Sequence, residues 1–137
     1  VPIGACLAKN TAADTLTPGT HGSTFGGNFL STTVGLKVVD IMQTLSINDN
    51  AKEMGNYFQK ELKEKIANKK TVKEIRNKGL MIGIELVNEC INLAEVALKS
   101  GLIINITQDN IIRMLPPLII NRTQIDDIIS ILNKIID

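Results

Sequence analysis

The residues best suited to chemistry lie in one short loop, residues 17–28, with the sequence TPGTHGSTFGGN. Its glycines let the backbone approach a ligand closely, and its hydroxyl side chains and backbone N–H groups can donate to a phosphate oxygen. The segment that follows has helical periodicity, and a helix N-terminus adds a favourable partial charge. The loop indicates an anion site with Ser23 and Thr24 as ligands. The alternative is an ordinary Ser/Thr turn that caps the helix.

A second candidate is Arg113, which lies in the apolar segment IIRML of residues 111–115. A guanidinium among apolar residues needs an anionic partner if it is buried, and its planar donors suit a carboxylate. An interface or surface ion pair is the alternative. Arg76 has similar surroundings, but for Arg76 we favour a structural ion pair in a hairpin. We expect His21 to form a hydrogen bond in the loop rather than act as a general base.

The periodicity of apolar residues predicts the elements that position these groups. In the first half we expect a buried turn or strand end over 1–8, a helical turn over 12–16, a helix from the N-cap Asn28 to about Leu45, a polar break over 46–50 and a helix over 51–67. In the second half we expect adjacent strands over 72–79 and 80–87, a helix over 91–99, strands over 102–106 and 111–115, and a final helix capped by Thr123.

The order of elements changes near residue 70. Residues 1–70 are helical and rich in loops, whereas 71–137 follow the order strand, strand, helix, strand, strand, helix. That second order predicts a small α/β sandwich with one sheet face under two helices. We therefore expect two domains, 1–70 and 71–137. Gly83, inside a predicted strand, indicates a close approach of another backbone.

Composition argues against several functions. The net charge of +1 gives no electrostatic reason to expect nucleic acid as a partner, and no apolar run is long enough to span a membrane. Cys6, Cys90 and His21 are too few for a zinc site, so we expect no metal and two buried thiols in a reducing compartment. Since the sequence begins with Val1 and shows no signal peptide, we expect a segment of a larger cytoplasmic protein.

The loop and three other segments together resemble the class III aminotransferases, a family that uses pyridoxal 5'-phosphate (PLP). The loop resembles a signature of that family, and residues 2–5 (PIGA) resemble the segment just after its cofactor lysine. The matching later segments are 75–86 (IRNKGLMIGIEL), similar to the small-domain hairpin, and 110–120 (NIIRMLPPLII), similar to the substrate-arginine strand. The resemblance covers essentially the whole chain. It departs at Phe29, where the family usually has proline.

The resemblance implies the α/β fold of the C-terminal segment of a fold-type I PLP-dependent transferase, the end of the large domain plus the small domain. It implies that Thr24 binds the cofactor phosphate through its hydroxyl and N–H, across the interface of a homodimer. Ser23 would lie near the substrate, and Arg113 would bind a substrate carboxylate. The lysine that forms the Schiff base is expected upstream of Val1, because Lys9 comes too late in the pattern. We thus expect no catalytic residue here and an inactive isolated segment.

Within the family, the loop is most similar to that of enzymes that take the amino group of N-acetylornithine and pass it to 2-oxoglutarate. This implies a role in arginine biosynthesis, and in lysine biosynthesis if succinyldiaminopimelate is also a donor. Ornithine and 4-aminobutyrate are alternative donors. Two hypotheses outside catalysis stay open: a partner-binding α/β module from a split or decayed gene, and a regulatory domain over 72–137 that binds a small molecule.

Overall fold

A computed structural model describes residues 1–136 and divides the chain into two compact units, Val1–Leu45 and a second unit that begins at Ser46. The sequence predicted a domain boundary between residues 70 and 71. The observed division comes earlier because the helix that follows Leu45 packs against the sheet and the last helix of the second unit. The assignment of the first residues to a large cofactor domain stays a prediction.

The first unit contains one long helix, α1 (Phe29–Thr44), preceded by a short 3-10 helix over Asn10–Thr15. Both confirm the predicted elements. Asn28 is the N-cap of α1, since its Oδ1 accepts a hydrogen bond from the Ser31 N–H at 3.0 Å. The predicted buried segment over 1–8 is wrong, because these residues are exposed and form neither helix nor strand.

The second unit is a mixed α/β unit whose element order agrees with the predicted one. Its elements are α2 (Ile47–Lys65), β1 (Val72–Lys78), β2 (Met81–Leu86), α3 (Leu93–Lys99), β3 (Asn105–Thr107), β4 (Ile111–Met114) and α4 (Arg122–Ile135).

Several predicted element ends are wrong, and β3 begins at Asn105 instead of Leu102. The residues expected to form a polar break, 46–50, begin α2, and Ile47 is buried there. The N-cap of α4 is Asn121 instead of Thr123. Asn121 Oδ1 accepts from the Gln124 N–H at 3.0 Å, while Gln124 Oε1 accepts from the Asn121 N–H at 3.1 Å. This reciprocal capping box satisfies two amides that the first turn of a helix otherwise leaves unpaired.

The four strands form one antiparallel sheet in the order β1-β2-β4-β3. Because side chains alternate along a strand, Ile75, Ile84 and Ile112 share one face of the sheet. That face contributes to the apolar core together with α2 and α4, whose Phe58 and Leu132 are fully buried. The opposite face carries the polar and charged side chains that build the candidate site.

A glycine brings α2 into direct contact with the turn between β1 and β2. A Cβ atom on Gly55 would lie 2.4 Å from the Gly79 carbonyl oxygen, a distance that no side chain can adopt. The Asn77 amide joins the two segments, because Nδ2 donates to the Gly55 oxygen at 3.1 Å and to the Gly79 oxygen at 3.0 Å. Close packing of helix on turn thus requires glycine at position 55.

Both cysteines are free thiols; Cys6 is exposed and Cys90 half-buried, so the prediction of two buried thiols is wrong for Cys6. Within residues 1–136, none of the helices has the length and apolar content needed to cross a membrane. The same residues contain no group of histidine, cysteine or carboxylate side chains that could hold a metal ion.

Candidate functional site

Internal hydrogen bonds shape the loop of residues 17–28. The Thr20 N–H and hydroxyl both donate to the Thr17 carbonyl, at 3.1 and 2.7 Å. A second turn follows, in which the Gly26 N–H donates to the Ser23 carbonyl at 3.3 Å. Gly27 has a φ of +71°, which favours glycine at the end of that turn. The turn leads directly into the N-cap of α1.

Ser23 and Thr24 leave their donors unused in this loop. Within the described residues, neither hydroxyl forms a hydrogen bond, and neither the Ser23 nor the Thr24 backbone N–H donates to a protein acceptor. The alternative role as helix caps is therefore not observed, since Asn28 caps α1 by itself. The expected hydrogen bond of His21 is wrong, because its ring has no partner in the part of the chain described.

A cavity of about 500 Å³ lies within the first unit beside this loop. Ser23 and Gly26–Asn28 line it from one side and Pro2–Gly4 from another, whereas Thr24 does not line it. A Cβ on Gly26 would lie 3.0 Å from the Ser23 Cβ, so glycine at 26 lets the turn close around Ser23. Of the two neighbouring hydroxyl residues, only Ser23 lines this cavity.

Arg113 lies on β4 in the second unit, on the sheet face opposite the core. Its neighbours Ile112 and Met114 are buried, whereas Arg113 is exposed. Among the residues that the structure describes, no carboxylate pairs with its guanidinium. Arg113 therefore keeps five N–H donors available for an external anion, which is the arrangement that a carboxylate-binding arginine needs.

Arg76 lies on the same sheet face but is paired with carboxylates. Its Nη1 lies 2.8 Å from Glu74 Oε2 and 2.9 Å from Glu85 Oε2. Lys73 adds a third contact, 2.6 Å from Nζ to Glu85 Oε1. Hydrogen bonds from Lys73 and then from Arg76 hold the pKa of Glu85 below its ordinary value. The predicted structural ion pair of Arg76 is confirmed.

A cleft of about 410 Å³ opens on this face, and Arg76, Gly83, Ile111 and Arg113 are among the residues that line it. The sheet register places Arg76 opposite Gly83 and Gly83 opposite Arg113. The cleft therefore has an arginine on each side of a floor that lacks a side chain. The sequence reasoning missed this arrangement and missed Glu85, although strict alternation along β2 already placed Gly83 and Glu85 on one face.

Ser23 and Thr24 belong to the first unit and Arg113 to the second, so the loop and the cleft are separate candidate sites, each described within its own unit. Their assigned roles in binding phosphate, substrate and carboxylate stay predictions. What the geometry establishes is that none of the three side chains is occupied by another described residue.

The model of the family described as aminotransferase class III matches residues 1–136, and the chain belongs to that family. The acetylornithine aminotransferase of Aquifex aeolicus is 46% identical over 136 residues, which are 99% of this chain and 34% of that protein. The ornithine aminotransferase of Staphylococcus carnosus is 42% identical over 135 residues, 98% of this chain and 34% of that protein. The chain thus spans about a third of the length of these relatives.

Solved structures agree with this classification. The acetylornithine aminotransferase of Elizabethkingia anophelis superposes with a TM-score of 0.84 and 35% identity, covering 95% of this chain and 35% of that one. The ornithine aminotransferase of Plasmodium yoelii gives a TM-score of 0.86 and 30% identity, covering 95% and 36%. The predicted α/β fold of a PLP-dependent aminotransferase segment is confirmed.

The cofactor of this family is PLP, and the loop of residues 17–28 fits one part of it, the phosphate. An unpaired hydroxyl and an unpaired N–H at Thr24 precede the first turn of α1, whose N-terminus favours an anion. A hydroxyl, a backbone N–H and a helix N-terminus are groups of the kind that donate to phosphate oxygens.

Proposed function

We propose that this chain is part of an aminotransferase that moves the amino group of N-acetylornithine to 2-oxoglutarate. The observation that carries the proposal is 46% identity, over 99% of the chain, to an acetylornithine aminotransferase. The unoccupied donors of Thr24 and Arg113 support it, since a transaminase needs a phosphate anchor and a carboxylate anchor. When bound, PLP supplies the electron sink that labilises the C–H bond at the carbon carrying the transferred amino group.

Each residue has one task in this proposal. Thr24 donates its hydroxyl and N–H to the phosphate and holds the cofactor in place. Arg113 binds a substrate carboxylate through two parallel N–H···O contacts, which set the orientation of the substrate as well as its affinity. Ser23 lines a cavity and contributes a hydroxyl beside the substrate.

We also propose that the whole protein is a cytoplasmic homodimer of arginine biosynthesis in which the loop 17–28 completes the site of the partner subunit. Several large apolar side chains of the first unit are highly exposed within the described residues: Leu7 92%, Phe25 81%, Phe29 92% and Leu36 72%. In the whole protein such a surface is covered by the rest of the same chain or by a partner subunit. A role in lysine biosynthesis would follow if succinyldiaminopimelate is a second donor.

Ornithine is the second candidate donor. The Staphylococcus carnosus ornithine aminotransferase is almost as similar as the acetylornithine enzymes, at 42% identity. The two donors differ by one acetyl group, which removes the positive charge of the amine that is not transferred. The choice between the two donors depends more on site residues in the rest of the protein than on this segment.

The test is amino transfer by the full-length protein. We expect ¹⁵N-labelled N-acetylornithine and 2-oxoglutarate to give ¹⁵N-glutamate, with a kcat/KM at least tenfold above that for ornithine. Tenfold corresponds to about 1.4 kcal/mol of discrimination. A preference for ornithine would favour the second candidate, and no transfer from either donor would contradict the proposal.

A further inference from the structure

Gly83 lies inside β2, a central strand, where glycine is unfavourable. Glycine loses more conformational entropy on folding than any other residue, and it offers no side chain to pack. A strand glycine usually has a local cause, namely a positive φ, a bulge or a close neighbour. Gly83 is not among the glycines with positive φ, and the irregular position of the sheet lies near Val72 instead.

No neighbour within the described chain requires a glycine at this position either. A Cβ on Gly83 would lie 3.6 Å from Arg76 Cγ and 3.8 Å from Ile111 Cγ2, both ordinary van der Waals distances. The predicted approach of another backbone is therefore not observed at Gly83, whereas it is observed at Gly55, at 2.4 Å. The space above Gly83 is therefore open within the described residues.

The surroundings of Gly83 indicate what this space can accommodate. It forms the floor of the 410 Å³ cleft, directly opposite Arg113 in the sheet register, so the two Cα atoms are about 5 Å apart. Ile111 and Met81 add apolar surface to the same cleft, and Lys78 also lines it. Arg76 is committed to Glu74 and Glu85. An anion held by Arg113 would thus have an apolar floor beside it.

We propose that Gly83 is a specificity-determining residue whose missing side chain makes room for the aliphatic part of the carboxylate ligand that Arg113 binds. The inference rests on the proposed function for the role of Arg113. It adds the class of ligand, a carboxylate with an unbranched aliphatic stem. It also names Gly83 as the residue that selects the length of that stem. A larger side chain at 83 fills the floor and excludes the stem while leaving the carboxylate contact intact.

Inhibition of the full-length holoenzyme by acetate, butyrate and pentanoate tests this inference. In the wild type the inhibition constant should fall about fourfold for each added methylene, the factor that corresponds to about 0.8 kcal/mol per buried CH₂. Gly83→Val should abolish this dependence on length while changing the constant for acetate by less than twofold. Gly83→Ala, whose Cβ makes only ordinary contacts, should reduce the dependence by about half and carries the test if the valine variant does not fold.

Ile84→Val is the matched control, because Ile84 is the next residue on β2 and is fully buried on the core face. It perturbs the same strand and should keep the wild-type dependence on length. The inference is overturned if Gly83→Val and Gly83→Ala keep that dependence. It is also overturned if they weaken acetate as much as pentanoate, the result expected when another part of the protein packs on Gly83.

Arg113→Ala separates this inference from the proposed function. It should weaken all three inhibitors by a similar factor and leave the ratio between them unchanged. If Arg113→Ala has no effect while Gly83→Val still removes the length dependence, the proposed role of Arg113 is contradicted. The proposed role of Gly83 as the apolar floor of the cleft is then still supported. If Arg113→Ala acts as expected and both Gly83 variants do nothing, the role of Arg113 stands and this inference fails.

Discussion

Arg76 and Arg113 show how two arginines with similar apolar neighbours in sequence acquire different roles. Both lie on the open face of the sheet, but Glu74 and Glu85 neutralise Arg76, whereas Arg113 has no acidic partner among the described residues. The ion pair of Arg76 was predicted from its position in a hairpin, but its partners Glu74 and Glu85 were not. The predictions for His21 and Cys6 were wrong, because the spacing of residues in the sequence does not indicate whether a side chain outside a helix or strand is exposed.

The Thr24 side chain is expected to contribute directly to cofactor affinity. Thr24→Ala in the full-length protein should raise the dissociation constant of PLP about 10- to 100-fold, the loss expected for one hydrogen bond to a charged group. Titration of the apoenzyme with PLP measures it. Ser23→Ala is the matched control and should change that constant less than twofold while raising the KM of the amino donor. Equal effects of the two variants on PLP would contradict the assignment.

Glu85 should make stability depend on pH at the acid end. Its pKa is lowered in the folded protein, first by the hydrogen bond from Lys73 and then by that from Arg76. A lowered pKa means that the contribution is complete above the ordinary glutamate value of about 4.3 and is lost as pH falls through the folded value. The thermal midpoint of the wild type should therefore drop more steeply below pH 5 than that of Glu85→Gln. Parallel curves for the two proteins would exclude this contribution.

At the scale of elements, periodicity predicted most of the second unit but placed several ends wrongly. The hairpin, the strand that ends before Pro116 and the apolar face of α4 are confirmed, because each is a local pattern. The start of α2 was missed since Ile47 is buried by tertiary packing. Gly55 and Gly83 could not be told apart from sequence, because their surroundings come from distant residues.

The contact between α2 and the β1–β2 turn predicts an unusual effect of Gly55→Ala. Alanine normally stabilises a helix by about 1 kcal/mol relative to glycine, but here its Cβ would collide with the Gly79 carbonyl. We expect a net loss of about 1–3 kcal/mol from overpacking. Urea denaturation measures it, with the exposed neighbour Asn56→Ala as control, which should be neutral or slightly stabilising. An equal gain in both variants would contradict the packing.

The C-terminal end of α4 depends on a lysine from outside the helix. Lys69 Nζ donates to the Asn133 carbonyl at 2.8 Å and also to the Ile136 carbonyl, so its charge lies at the negative end of the helix dipole. Lys69→Met should cost about 1 kcal/mol of unfolding free energy. Lys70→Met at the exposed adjacent position should cost nothing measurable. A similar loss in both would mean that net charge, and not the cap, is responsible.

At the scale of the whole molecule, the chain is one portion of an aminotransferase fold. It spans about a third of its relatives, and the groups proposed to bind the phosphate and the carboxylate lie in different units. Since the Schiff-base lysine is proposed to lie elsewhere, the purified 137-residue chain should show no transaminase activity when PLP and both substrates are supplied.

A separately expressed upstream part tests the same proposal from the other side. Activity restored on mixing with this chain would support a split enzyme, whereas absence of any association would favour a remnant without catalysis. Transaminase activity of the 137-residue chain alone would contradict the proposed location of the lysine.

The most direct test of the account is the effect of Arg113→Ala on the carboxylate substrates of the full-length enzyme. Loss of a hydrogen-bonded charge pair costs about 2–5 kcal/mol, so the KM for the substrate whose carboxylate it binds should rise at least 30-fold while the thermal midpoint stays near that of the wild type. Arg113→Lys should recover only part of the loss, because lysine lacks the planar bidentate donor pair. An unchanged KM for both N-acetylornithine and 2-oxoglutarate would contradict the central claim that Arg113 anchors the substrate.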